Sequence, residues 1–112
     1  EWNQNSPPVA QSLSVTGSSY VGSTLVGNYT YFDEDGDIEG ESIYKWYRDD
    51  VGIDNSSSKT YITKIEDIGK LIKFEVTPVA ITGEKIGNPF NVIFPEVIKK
   101  AYKLFPAEFT WR

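Results

Sequence analysis

The chain contains no cysteine, no histidine and no methionine among its 112 residues, and no long apolar run. Without cysteine, no disulfide braces the fold and no thiolate serves as nucleophile or metal ligand. Without histidine, Ser-His-Asp and Cys-His catalysis and the histidine-bearing zinc sites are excluded together. No stretch approaches the about 18 apolar residues of a membrane-spanning helix, and no signal sequence is present. The opening Glu1-Trp2-Asn3-Gln4 has no initiator methionine and reads as a cut from a longer polypeptide. Basic residues are in deficit as well: 11 Lys and Arg face 16 Asp and Glu, a formal net charge of -5. That balance lacks the cationic excess that neutralises phosphates, and so argues against nucleic acid and against an anionic membrane surface as partners.

What remains is the composition of one soluble globular domain. Hydrophobic residues make up 39% and charged residues 24%, and a chain of this length builds a single core without staples. Residues 1–8, ending in Asn5-Ser6-Pro7-Pro8, are polar and proline-stiffened and read as a linker. Residues 9–15, 24–32, 43–48, 60–63 and 71–78 and a stretch within 86–94 read as strands. The clearest is 71–78, where Ile72, Phe74 and Val76 alternate with Lys73, Glu75 and Thr77. Residues 64–69 read as one helical turn closed by Gly69. Short strands with frequent turn signals and no long helix predict an all-β sandwich over residues 9–94. Residues 95–112 depart from this. Val97, Ile98, Ala101, Leu104 and Phe105 recur at helical spacing between Pro95 and Pro106, the pattern of a linker or short amphipathic helix.

The densest chemistry lies between the second and third expected strands. Asp33, Glu34, Asp35, Asp37, Glu39 and Glu41 place six carboxylates in nine residues with no basic residue among them. Such a turn either points every acid into water or holds a cation. Alternation brings Asp33, Asp35, Asp37 and Glu39 forward as hard oxygen ligands for calcium. The loop is not an EF-hand, because Ile38 and Tyr44 stand where that loop needs Gly and Glu. The alternative is a solvated turn in which Asp side chains bond local amides and Gly36 and Gly40 supply unusual φ angles.

Several motifs in order have a familiar look: Pro8-Val9-Ala10, Gly27-Asn28-Tyr29-Thr30-Tyr31, the Asp33-to-Gly40 turn, Tyr44-Lys45-Trp46-Tyr47-Arg48, Thr60-Tyr61, Asp67-Ile68-Gly69-Lys70 and Phe74-Glu75-Val76-Thr77-Pro78-Val79. Together, over residues 7–94, they resemble the immunoglobulin-like modules repeated in large bacterial exported and cell-surface proteins, including S-layer proteins, adhesins and multimodular glycoside hydrolases. The resemblance implies an immunoglobulin-like β-sandwich of about seven strands, with Trp46 at the buried position of the central strand and Asp67-x-Gly69 in the turn that precedes a later one. The chain departs from antibody-type domains in lacking both inter-sheet cysteines and in having Leu71 where a Tyr is expected. The implied role is a non-catalytic spacer or orienting module, stiffened by calcium, in an extracellular or cell-surface protein. Its partners would be neighbouring domains of the parent chain.

Two other roles stay open. A carbohydrate-binding accessory module needs exposed flat rings to stack on polysaccharide, and Tyr20 and Tyr47 are the residues available. An adhesin or protein-interaction module would use a sheet edge or the tail to hold a surface protein. The other aromatics, Trp46, Tyr29, Tyr61 and Phe74 with Ile72 and Val76, are expected in the core. No catalytic set is found: a glycosidase needs two carboxylates across a cleft, and here the acids crowd one turn.

Overall fold

A computed structural model describes residues 5–83 and 85–100. Seven strands alternate with short connections: β1 Val9–Thr16, β2 Thr24–Phe32, β3 Ile43–Arg48, β4 Val51–Gly52, β5 Thr60–Ile62, β6 Ile72–Thr77 and β7 Phe90–Ile93. One turn of 3-10 helix, Ile65–Asp67, lies between β5 and β6. They form two antiparallel sheets with strand orders β1-β2-β5 and β4-β3-β6-β7. This is the two-sheet arrangement of an immunoglobulin-like sandwich.

The core follows from the two-residue period of the strands. In β6, Ile72, Phe74 and Val76 are fully buried while Lys73, Glu75 and Thr77 face outward. Trp46 of β3 stands directly opposite Phe74, and their ring centroids lie 4.9 Å apart. Tyr61 of β5 reaches across from the other sheet, 5.7 Å from Trp46. The indole N–H donates to the Ser58 carbonyl at 2.8 Å, so the one polar atom of this large buried side chain is satisfied. Leu25, Ala10, Ile53, Phe94 and Ile98 complete the core, with Tyr29 and Tyr44 packed at its margin. Gly27 is required where Phe74 crosses β2: a Cβ there would lie 2.5 Å from three ring atoms.

Local chemistry sets the connections. Asp49 and Asp50 both take positive φ, 46° and 68°, in the two-residue turn joining β3 to β4. That is the turn whose twist matches a right-handed hairpin, and Asp tolerates it better than most residues. In β1 the register slips between Gln11 and Ser14 around Ser12, whose φ is 56°, the mark of a bulge on an edge strand.

Of the two readings of residues 95–112, linker or short amphipathic helix, the helix is not found over the part the structure describes. The chain bends at residues 95 and 96 and then pairs through Ile98 and Lys99, and Ile98, only 1% exposed, forms part of the core. Parallel bridges join Ile98 to Ile68 and Lys99 to Tyr20. The Ile98 N–H donates to the Lys70 carbonyl at 3.1 Å, the Lys99 N–H to the Ser19 carbonyl at 2.7 Å and the Gly69 N–H to the Ile98 carbonyl at 2.7 Å. Backbone partners already waiting on two loops outweigh a helical period spread over so few residues. The remainder of that expectation, residues 101–112, lies outside the described residues, as do residues 1–4 of the expected linker.

β2 runs the length of the sandwich, so its two ends define the two ends of the molecule. Segment 5–8, the β2–β3 connection and the β6–β7 connection meet at one end. The β1–β2 loop, the 3-10 turn and residues 96–99 meet at the other.

Candidate functional site

The acidic turn begins where β2 stops. Asp33 Oδ1 accepts the Asp35 N–H at 2.8 Å, and the Gly36 N–H donates to the Asp33 carbonyl at 2.9 Å. Gly36 takes a φ of 79° to close the turn. The tight winding brings alternate acids to one point: Asp33, Asp35 and Asp37 each offer a carboxylate oxygen within 4.8 Å of the others. Asp33 is 8% exposed, and its second oxygen, Oδ2, is buried with no hydrogen-bond partner among the described residues. None of the ion pairs among the described residues reaches this cluster.

The other two acids hold neighbouring segments. Asp35 Oδ2 accepts the Ser6 N–H at 2.6 Å. Asp37 Oδ2 accepts the Asn5 side-chain amide at 3.0 Å, and Asp37 Oδ1 accepts the Thr82 hydroxyl at 3.0 Å. Gly83 packs against this point with a φ of 74°: a Cβ there would meet Asp37 Oδ2 at 2.3 Å and Asn5 Oδ1 at 2.6 Å. Beneath the turn, the Tyr31 hydroxyl donates to the Asp37 carbonyl at 3.1 Å. Burial, and then the charges of Asp33, Asp37 and Glu39, push the Tyr31 hydroxyl above the ordinary phenol range.

Glu39, the fourth expected ligand, is not in the cluster. Its backbone bridges Ala80, and the Gly40 N–H donates to the Val79 carbonyl at 2.6 Å. That pairing turns the Glu39 carboxylate toward Ser42, whose hydroxyl donates at 2.7 Å, and toward Tyr29, whose hydroxyl also donates to it. Tyr29 in turn lies 3.0 Å from the Tyr44 hydroxyl. Burial first, and the bond to Glu39 second, raise the Tyr29 hydroxyl far above its usual range. Simple alternation along the chain does not survive a turn that pairs with a neighbouring loop, so three of the four expected ligands are brought together and one is not.

The two aromatic residues proposed for sugar stacking lie on separate elements. Tyr20 sits in the β1–β2 loop, bridged to Lys99. Tyr47 lies on the outer face of β3, where the Lys73 ammonium stands 4.8 Å from its ring centroid and its hydroxyl donates to Glu75. The Lys73 ammonium thus occupies one face of the Tyr47 ring.

A second polar cluster escaped sequence reasoning. Asp67, closing the 3-10 turn, is completely buried, yet it accepts from Arg48 Nε, from the Tyr61 hydroxyl at 2.6 Å and from the Lys64 N–H at 2.8 Å. Burial first, and the bond to Asp67 second, push the Tyr61 hydroxyl up to about 12, against an opposing pull from Arg48. The hydrogen bond from Arg48 to Asp67 holds the guanidinium protonated. An Asp three residues into a turn after a strand, with an Arg on the facing strand, was the available signal. This cluster ties both sheets to the turn.

Two antiparallel sheets around a buried Trp46 thus define an immunoglobulin-like β-sandwich with an acid cluster at one end. Residues 9–93 match the AIR9 A9 domain family, and the chain belongs to that family. It is similar to the 187-kDa microtubule-associated protein AIR9 of Arabidopsis thaliana, with 40% identity over 81 residues, covering 65% of this chain. The chain spans about 5% of the length of that relative. These findings correct the setting inferred from sequence. The immunoglobulin-like resemblance is right, but the expectation of an extracellular or cell-surface location is overturned, because the relative is a plant protein of microtubules, which are cytoplasmic polymers. Nor do they support the bacterial context. The motifs that carried the resemblance serve the fold itself: Trp46 fills the core, and Asp67 anchors the turn before β6.

Proposed function

We propose that this domain is a non-catalytic module of a larger cytoplasmic protein, and that it fixes the separation and direction of the domains on either side. The observation that carries this reading is where the chain joins the sandwich. Segment 5–8 is hydrogen-bonded to the acidic turn at one end, through Ser6 to Asp35 and Asn5 to Asp37. Residues 98 and 99 are hydrogen-bonded to the loops at the opposite end. The two junctions are separated by the length of β2, nine residues at about 3.4 Å each, or roughly 30 Å. Because both junctions are bonded to the body, neighbours are set in line rather than hung on free tethers. The small relative span, one short domain within a much longer microtubule-associated protein, agrees with such a part.

The absence of cysteine makes the test direct, since single cysteines introduced near each junction accept spin labels without background. A narrow distance distribution between labels at residues 7 and 99 is the expected result. A broad distribution, as from a flexible chain, would refute the spacer reading. Co-sedimentation of the purified chain with microtubules would reassign it to direct filament binding.

A further inference from the structure

We infer that Asp33, Asp35 and Asp37 form a calcium site that locks the incoming segment Asn5–Ser6 onto the end of the sandwich. Three carboxylates stand within 4.8 Å of one another with no Lys or Arg paired to them among the described residues. Crowding alone would mean little on a solvated turn. The independent observation is Asp33 Oδ2, a carboxylate oxygen shut away from solvent with no hydrogen-bond partner among the described residues, on a residue only 8% exposed. A buried carboxylate oxygen without a donor is costly unless a cation meets it. Asp33 cannot turn that oxygen to another use, because its Oδ1 and carbonyl already hold the turn through Asp35 and Gly36.

The spread of the acids bears on the choice of ion. Two ligands of one ion lie at most twice the metal–oxygen distance apart, about 5 Å for calcium and about 4.2 Å for magnesium. A separation of at most 4.8 Å is inside the calcium limit, and the choice between the ions falls to the shape of the shell, since magnesium demands near-ideal octahedral geometry. An oxygen of another kind stands close by: the Asn5 side-chain amide, bonded to Asp37 through its nitrogen, carries its Oδ1 beside Gly83. Calcium accepts such irregular, mixed oxygen shells and completes them with water.

The consequence falls on the linker. Asp35 and Asp37 are the residues that hold Ser6 and Asn5, so an ion that fixes these two carboxylates fixes the junction with whatever precedes it. The clamp rests on the spacer reading; the ion site does not. In a cytoplasmic setting the site is useful only at sensor-range affinity, Kd of about 0.1–10 µM.

The test is calorimetric titration of calcium and of magnesium into the chelator-treated chain, with thermal melts and hydrogen exchange at the Ser6 amide in parallel. Expected are one calcium per chain at micromolar Kd, a rise in Tm of about 13 °C at 2 mM calcium for a Kd of about 10 µM, and at least tenfold slower exchange at Ser6. Asp33→Asn, which keeps the Oδ1 turn acceptor and removes the charge, should fold, melt near the wild-type apo value and lose the calcium response. Lack of binding up to 2 mM, binding only near the top of that range (an adventitious ion only), preference for magnesium, or an undiminished response in Asp33→Asn would each overturn the site. Calcium binding with unchanged Ser6 exchange would overturn the clamp. A broad label distribution in calcium-loaded protein that still binds calcium would sink the spacer reading and leave the site standing.

Discussion

Replacing Asp67 by alanine tests whether the buried polar cluster holds the two sheets to the turn. Asp67 is 0% exposed and receives three donors, from Arg48, Tyr61 and the Lys64 backbone. Alanine leaves the Tyr61 hydroxyl, on a residue 6% exposed, without its acceptor and removes the side-chain oxygen that accepts the Lys64 N–H ahead of the 3-10 turn. Removing one partner of a buried ion pair costs about 3–5 kcal/mol. The Arg48 side chain is 27% exposed and can swing its charge to water, which places the loss near the lower end, about 3 kcal/mol. With an unfolding entropy of about 2.1 cal/mol/K per residue over 112 residues, that loss lowers Tm by about 13 °C. Urea unfolding followed by circular dichroism measures it. Arg48→Met and the double variant Arg48→Met/Asp67→Ala complete a thermodynamic cycle, in which the two single losses should overlap by at least about 1 kcal/mol. A loss below about 1 kcal/mol for Asp67→Ala, or strict additivity in the cycle, would refute the argument that this cluster is an interlocked support.

Two further outcomes follow from the same geometry. Gly27→Ala drives a methyl group to 2.5 Å from three atoms of the fully buried Phe74 ring, so it should cost near the top of the about 1–3 kcal/mol range for overpacking, read as a lower urea midpoint. Alkaline pH should destabilise the domain in a defined window. Tyr47, through its hydrogen bond to Glu75 and then burial, and Tyr61, through burial and then its bond to Asp67, are each pushed up to about 12, against about 10 in the unfolded chain. Because the unfolded tyrosines release protons first, this stability is complete below pH about 10 and is lost as pH climbs toward about 12. For the buried Tyr61 the full loss is about 2–3 kcal/mol, seen as a falling urea midpoint that tracks tyrosinate absorbance. A midpoint that holds level across that window would contradict it.

The strands most legible in advance were those whose burial alternates cleanly. Expected boundaries for β2 and β3 coincide with Thr24–Phe32 and Ile43–Arg48, and β6 was read one residue too long at each end. The final strand was harder. Expected within 86–94, it occupies only Phe90–Ile93, because Gly87 is spent on a close approach to the Pro8 carbonyl and on pairing with Pro78. Trp46, Tyr61, Ile72, Phe74 and Val76 were placed in the core correctly, with Tyr29 at its margin. Ile53 and Phe94 were not foreseen, since each lies outside a regular strand, and Ile98 was read on a helical stripe rather than in the core of the sandwich. The acid cluster was legible as a composition but not as a geometry. Which carboxylates meet depends on the loop pairing at Gly40, and that partner, Val79, lies far along the chain.

Alternation, turn residues and a central Trp, all local properties, are sufficient by themselves to specify an immunoglobulin-like sandwich with an acidic turn at one end. They act through backbone preferences and through the simple rule that one face of each strand must leave water. What tertiary structure alone decided was the fate of groups whose partners are distant: Ile98 drawn into the core by waiting carbonyls, Asp67 buried because Arg48 and Tyr61 meet it, Glu39 turned to Tyr29 and away from Asp33. A polar side chain goes where its hydrogen bonds are satisfied, and those partners become neighbours only when the two sheets close.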